Sequence, residues 1–200
     1  MTYRATRIAL LAAATAVGAQ LRVPLPFTPV PIVLSNLVAV LSGFVLGPAD
    51  GAVAQAVYVG VGVIGAPVFA GPQAGLTVLL GPTGGYLVGF ILAAWLAGKI
   101  VWEWGRKGGG AVAALASACG FAVIYVTGLP WLAVVTHLSG MRLLMAGFVP
   151  FVPGDCLKAL AVAVVAPRIA AAGRAAWGAH QGPTPAPASS RGRDADPPGG

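Results

Sequence analysis

Charge is nearly absent from the first half of this chain: between Ile8 and Val101 the only charged residues are Arg22, Asp50 and Lys99. A soluble domain carries about 25% charged residues, which cover its surface. Here Asp, Glu, Lys and Arg make up 8% of 200 residues and hydrophobic types 58%. Such a chain has lipid as its solvent, so it is read as an integral membrane protein. A membrane-spanning helix takes about 20 apolar residues. The apolar runs predict six, at roughly 5–22, 31–47, 51–66, 83–102, 111–137 and 154–172. The expected fold class is therefore all-α integral membrane, with six transmembrane helices. The connections at 67–82 and 138–153 are apolar and rich in Gly and Pro. They are expected to cap the bundle or re-enter it, because irregular backbone at membrane depth must be surrounded by protein or line a cavity.

This reading makes residues 1–172 one six-helix membrane domain and 173–200 a disordered Pro/Gly-rich cytoplasmic tail, since Gly182–Gly200 has no hydrophobic periodicity. Arg4, Arg7, Arg106, Lys107, Arg168 and Arg174 fall on one side of the predicted spans, and only Arg22 and Arg142 on the other. The excess of basic residues marks the cytoplasmic side. A multi-pass protein of the cell membrane with both termini in the cytoplasm is expected. The net charge of +7 reflects that bias and the tail. No basic patch interleaved with aromatics points to nucleic acid. The N-terminal run resembles a secretory signal in its Arg4, Arg7 and small residues, but is read as an uncleaved first helix. Its alanines at Ala5, Ala9 and Ala13, and at Ala12 and Ala16, recur every four residues. That spacing favours close helix–helix contact, although alanine is common throughout the chain.

Asp155 and Lys158 stand out as the only acid and the only lysine between Ala111 and Pro167. Three residues apart and just after Phe151-Val152-Pro153-Gly154, they fall on one face of a helix. An ionisable side chain in a membrane segment costs about 2.5–3.5 kcal/mol on insertion scales, so it faces a cavity, a ligand or another charge. The helix dipole favours an acid at this end and disfavours a lysine. Two readings stay open. One is a simple ion pair. In the other, Asp155 accepts hydrogen bonds from N–H groups of a small polar ligand and Lys158 donates to its carbonyl or carboxylate.

Four further features carry polar groups or shape. Gly81-Pro82-Thr83-Gly84-Gly85-Tyr86 marks a tight turn before a helix. Gly81, Gly85 and Gly89 form a small-residue ridge for a neighbouring helix, and Thr83 and Tyr86 place hydroxyls where a ligand could meet them. Val23-Pro24-Leu25-Pro26-Phe27-Thr28-Pro29-Val30-Pro31 has four prolines, which exclude helix and enforce an extended segment. It is either a lid or a rigid connector. Ser35 and Asn36 interrupt an apolar helix, and Asn36 is expected to bond a neighbouring helix or a ligand. Gln55 is read as structural.

Little supports catalysis. Cys119 and Cys156 have no CxxC spacing, so neither a disulfide nor a metal site is expected, and Cys156 is read as a small packing residue. His137 is read as a surface group at a helix end. There is no GxxxxGK[ST] loop, no HExxH, no Ser/His/Asp pattern and no carboxylate pair. The chain is not expected to be an enzyme or to need a cofactor.

The segments Pro24-Leu25-Pro26-Phe27, Gly65-Ala66-Pro67-Val68-Phe69-Ala70-Gly71, Gly81–Tyr86 and Phe151-Val152-Pro153-Gly154-Asp155-Cys156-Leu157-Lys158 occur in that order. Together they resemble the BioY family, the biotin-specific substrate-binding subunits (S components) of energy-coupling-factor transporters, over about residues 5–170. The resemblance implies a six-helix bundle that binds biotin near its outer face. It also implies partners, a membrane coupling subunit and two cytoplasmic ATPases, with toppling of the S component carrying the vitamin inward. The family's acid and lysine that hold the biotin head group map onto Asp155 and Lys158. Pocket-lining positions map onto Phe69, Thr83 and Tyr86, and the small-residue face that meets the coupling subunit onto Ala5, Ala9 and Ala13. Two departures stand out. Where the family commonly reads close to PITLQTL, this chain has Pro31-Ile32-Val33-Leu34-Ser35-Asn36-Leu37, so Ser35 replaces a glutamine. Asn36 is expected to compensate only if the helix rotates. Pro72-Gln73-Ala74 stiffens a glycine-rich loop, and Gln73 is either a new polar contact or faces water. The alternatives are an S component for another vitamin, and a structural membrane subunit.

Overall fold

Prolines and glycines decide where the apolar runs become helices. The computed structural model describes residues 2–165, with backbone alone at residues 2 and 105–109. In order come α1 (Thr2–Gln20), β1 (Arg22–Val23), β2 (Ile32–Val33), α2 (Ser35–Leu46), α3 (Pro48–Val63), α4 (Leu76–Leu80), α5 (Gly84–Thr136) and α6 (Gly140–Gly147). A last helix, α7 (Val152–Val165), closes the described chain. The expected tail, the end of the sixth helix, and Arg168 and Arg174 lie outside the described residues, as do the side chains of Arg106 and Lys107.

Element α5 covers 53 residues, yet a methyl group on Gly89 would lie 2.9 Å from Cα of Ile124. In a straight helix those residues would be about 50 Å apart. The helix therefore doubles back, and its arms Gly84–Trp104 and Gly110–Thr136 lie antiparallel. These arms are the fourth and fifth helices expected from the sequence. Both are long and apolar enough to cross a membrane, and α6 with α7, bent by 45°, makes a third such unit.

Of the remaining expected spans, α1 reaches 19 residues and α3 keeps its expected length three positions earlier, whereas α2 falls short. Helix α2 has 12 residues and α3 has 16, which is about 18 and 24 Å against a hydrocarbon core of about 30 Å. The cause is local. Gly47, at φ +84°, takes a conformation that favours glycine, and Pro48 starts the next helix. At the other end Ile32 and Val33 pair antiparallel with Val23 and Arg22, so α2 begins at Ser35 rather than at 31. This hairpin also corrects the all-α expectation. Its prolines cannot donate ladder hydrogen bonds, and the paired strands stop at two residues each.

Packing is close because the contact residues have almost no side chain. A methyl group on Gly43 of α2 would overlap the Ala94 carbonyl oxygen and lie 2.9 Å from Gly98 N. One on Gly98 would lie 2.7 Å from Pro48 N. Two of the three expected ridge glycines behave the same way: Gly85 meets the Trp131 side chain and the Thr127 carbonyl, and Gly89 meets Ile124, whereas Gly81 ends α4 and faces the carbonyls of Thr77 and Val78. Lipid tails are as apolar as leucine, so helices in a bilayer associate through such contact rather than through the hydrophobic effect. Gln55 is fully buried and donates to Thr15 Oγ1 at 3.1 Å and Ser42 Oγ at 3.2 Å. It joins α3 to α1 and α2, the structural part read for it. At the amino-terminal end, Arg4 Nε donates to Asp50 Oδ1 at 2.9 Å and Arg7 Nη2 to the Val45 carbonyl at 2.9 Å. The hairpin, α4 and α6 gather at the opposite end.

Gly43→Val should force α2 off the first arm of α5 and lower stability by about 1–3 kcal/mol, the usual cost of overpacking. Gly60, where a methyl group meets nothing within 4 Å, should accept alanine without loss. Thermal unfolding of the detergent-solubilised variants checks this; equal melting temperatures would refute the close contact.

Candidate functional site

The end of the bundle away from Arg4 and Asp50 encloses a cavity of about 170 Å³. Its wall draws on the end of α1, the hairpin, the starts of α2, α5 and α7, the loop before α4 and the second arm of α5. Every site residue expected from the sequence reaches it: Ser35, Asn36, Phe69, Thr83, Tyr86, Asp155 and Lys158. Most of the rest is apolar, including Leu25, Val30, Leu87, Phe90, Ile124 and Phe151.

Asp155 lies in the first turns of α7, its backbone N–H donating to the Phe151 carbonyl at 2.9 Å. It is 7% exposed. Oδ1 accepts from Lys158 Nζ at 2.9 Å and from Asn36 Nδ2 at 3.0 Å. Oδ2 accepts from the Tyr125 hydroxyl. Lys158 also donates to the Val33 carbonyl at 2.7 Å and to Asn36 Oδ1 at 3.1 Å. An ammonium has three donors and a carboxylate about four acceptor positions. The lysine is therefore saturated by the protein, and Asp155 keeps about one position open. The ion-pair reading and the cavity reading both hold, since one ion pair forms part of the cavity wall. Ser35 and Thr83 make no side-chain hydrogen bond among the described residues, so their hydroxyls are available to the cavity.

Ser35 and Asn36 face the same space although they are adjacent, and no rotation of the helix is needed. Because α2 starts at Ser35 directly after β2, its first turn lies along the cavity edge. Asn36 bonds across to α7, as expected of an amide in an apolar helix. Phe69 is 1% exposed. It sits edge-on to Tyr58 at 5.7 Å, over Gly62, where any side chain would overlap its ring. Gln20 Nε2 holds the Phe69 carbonyl at 3.1 Å. Gln73 lines the cavity, and its carbonyl accepts from Phe69 N at 3.1 Å. The Tyr86 hydroxyl donates to the Gly147 carbonyl at 2.9 Å, and the Thr28 hydroxyl to the Ala146 carbonyl. These bonds tie α5 and the proline-rich hairpin to α6.

Ala5, Ala9 and Ala13 lie elsewhere, exposed along α1, while Ala12, Thr15 and Ala19 point inward. His137 and Cys156 are exposed, and His137 is not among the lining residues. Tyr58, Tyr125 and Arg22 are among the lining residues that escaped the sequence reading. Tyr125 lies in an apolar run, and its only signal was a phenol in a span with few polar groups. Arg22 was counted only as a flanking charge.

The BioY family model matches residues 1–175. The chain is 38% identical over 162 residues to a probable biotin transporter BioY of Pyrococcus horikoshii, covering 81% of this chain and 93% of the relative. It is 39% identical over 153 residues to the biotin transporter BioY of Thermotoga maritima, covering 76% and 87%. Its fold is similar to the crystal structure of an S-component for biotin from an ECF-type ABC transporter, with TM-score 0.77 and 26% identity, over 84% of this chain and 90% of that one.

Lys158→Met should strand the buried Asp155 carboxylate and cost about 3–5 kcal/mol. Adding Asp155→Asn should recover much of that loss, because a neutral pair removes the unpaired charge. Unfolding midpoints of the single and double variants decide it. A double variant no more stable than Lys158→Met would show that the pair is not coupled as its geometry indicates.

Proposed function

We infer, for a chain that belongs to the BioY family, a biotin-binding membrane subunit for vitamin uptake rather than an enzyme. Biotin joins apolar fused rings and a chain to a ureido group and a carboxylate, and the site is apolar with a few convergent polar groups. The observation that carries the reading is Asp155, a buried carboxylate held from three sides with about one acceptor position left for an N–H of the ureido group. The Ser35 hydroxyl is the available donor for the ureido carbonyl, and Lys158 can join it by releasing one of its three acceptors. Asn36 and Tyr125 keep the carboxylate aimed. Phe69, Tyr86 and Thr83 shape the wall around the rings. A buried ion pair is seldom more stable than a packed apolar pair, so this one is better explained by what it presents to the cavity. Its position and the biotin transporters among the relatives leave the other vitamins and a purely structural role unfavoured.

The finer arrangement follows from the same features. Six crossings are assigned to α1, α2, α3, the two arms of α5, and α7, with the short α2 and α3 completed by their flanking loops. Arg4, Arg7, Arg106 and Lys107 against Arg22 and Arg142 support cytoplasmic termini, which turns the cavity to the outside. The likeness to a biotin S-component of an ECF-type transporter supports a membrane coupling subunit and two cytoplasmic ATPases as partners. The exposed Ala5, Ala9 and Ala13 face suits a close helix contact with the coupling subunit.

Titration calorimetry on the purified protein tests the assignment. Wild type should bind biotin tightly. Asp155→Asn should weaken binding about tenfold or more, since hydrogen bonds to a charged group are worth about 1.5–3 kcal/mol. Undiminished binding by the variant would remove Asp155 from the site. Folded wild type that ignores biotin would sink the biotin assignment itself.

A further inference from the structure

Three charged side chains line the cavity: Arg22, Asp155 and Lys158. Asp155 and Lys158 cancel each other at 2.9 Å. Arg22 has no ion pair and no side-chain hydrogen bond among the described residues, which leaves the cavity with one uncompensated positive charge. The two polar ends also differ in access. Asp155 is buried, whereas Arg22 is exposed and stands where the cavity meets solvent.

Arg22 is also placed rather than free to wander. Its Cα is paired with that of Val33, whose carbonyl accepts Lys158, so hairpin register ties the mouth to the buried polar cluster. Its guanidinium lies flat against the loop at Gly71, where any side chain would overlap it. Gly71, at φ +76°, has a backbone conformation that favours glycine. The loop is held in turn by the bond from Gln20 to the Phe69 carbonyl and by Gly75 N donating to the Gly62 carbonyl at 2.8 Å. A guanidinium offers a rigid fork of donors that matches a carboxylate in two parallel bonds.

We propose that Arg22 binds the carboxylate of the transported acid at the cavity mouth, so that the protein selects the free acid over its neutral derivatives. The proposal rests on the biotin reading above and adds an orientation to it. The ureido end goes down to Asp155, and the acid end stays at the exposed rim. Arg142 is a built-in control. It carries the same charge and is exposed on α6, but it is not a lining residue.

The test is a calorimetric titration of wild type, Arg22→Gln, Arg22→Lys and Arg142→Gln with biotin and with biotin methyl ester. Arg22→Gln should weaken biotin about tenfold and leave the ester within about twofold of wild type, as expected for loss of a charge-assisted bidentate contact. Arg22→Lys should recover part of the biotin affinity. Arg142→Gln should leave both ligands unchanged. Retained ester binding shows that the Arg22→Gln protein is folded. An Arg22→Gln variant that weakens both ligands alike, or neither, overturns the proposal while leaving biotin as the ligand. Wild type that binds neither overturns the biotin reading and this proposal with it.

Discussion

The Asp155 carboxylate is the point on which the cavity end of this bundle depends. It receives Lys158 from its own helix, Asn36 from α2 and Tyr125 from the second arm of α5, while Lys158 reaches on to the β2 backbone at Val33. Four separate pieces of chain thus meet at one buried charge. In an apolar surround each missing partner leaves a polar group unsatisfied, so the cluster specifies one arrangement of these elements. The same partners leave the carboxylate facing the cavity with acceptor capacity to spare. Structural and binding roles are therefore two uses of one set of hydrogen bonds.

The rest of the bundle is held by contact rather than by polar bonds. Gly43, Gly51 and Gly98 bring α2, α3 and the first arm of α5 to near backbone distance, and Gly85 and Gly89 do the same between the arms. Such packing leaves little freedom in the body of the bundle. The cavity end is built from short pieces instead: a two-residue strand pair, the loop around Phe69, α4 and α6. These are linked by single side-chain bonds from Thr28, Gln20 and Tyr86. Tight glycine seams in the body and a loop-built rim at the cavity end put the cavity among the short, singly linked segments.

Much of this was legible in the residues. The scarcity of charge set the solvent, the apolar runs located the arms of α5 to within a few residues, and the Asp155–Lys158 spacing gave a shared helix face. The seven side chains expected at a site do line one cavity. What stayed hidden depended on partners remote in sequence. Tyr125 is one phenol in an oily helix until α7 places Asp155 against it. Arg22 is one flanking charge until the hairpin and Gly71 set it at the rim. Helix α2 was overestimated, and α3 placed three residues late, because hydropathy does not register that Ile32 and Val33 pair with Val23 and Arg22, or that Gly47 and Pro48 break the run.

Sequence by itself determined the lipid solvent, the helical class and the identity of the residues rare enough in this background to carry polar function, because composition and periodicity are local properties. The kinship of the chain with biotin transporters also rested on the order of its motifs. Tertiary structure alone decided that Lys158 is saturated by Val33, Asn36 and Asp155, that Ser35 and Asn36 share a cavity edge, and that Arg22 at the mouth makes no ion pair among the described residues. Hydrogen-bond capacity is spent between groups over a hundred residues apart, from Asn36 to Asp155. No spacing rule along the chain can count what remains.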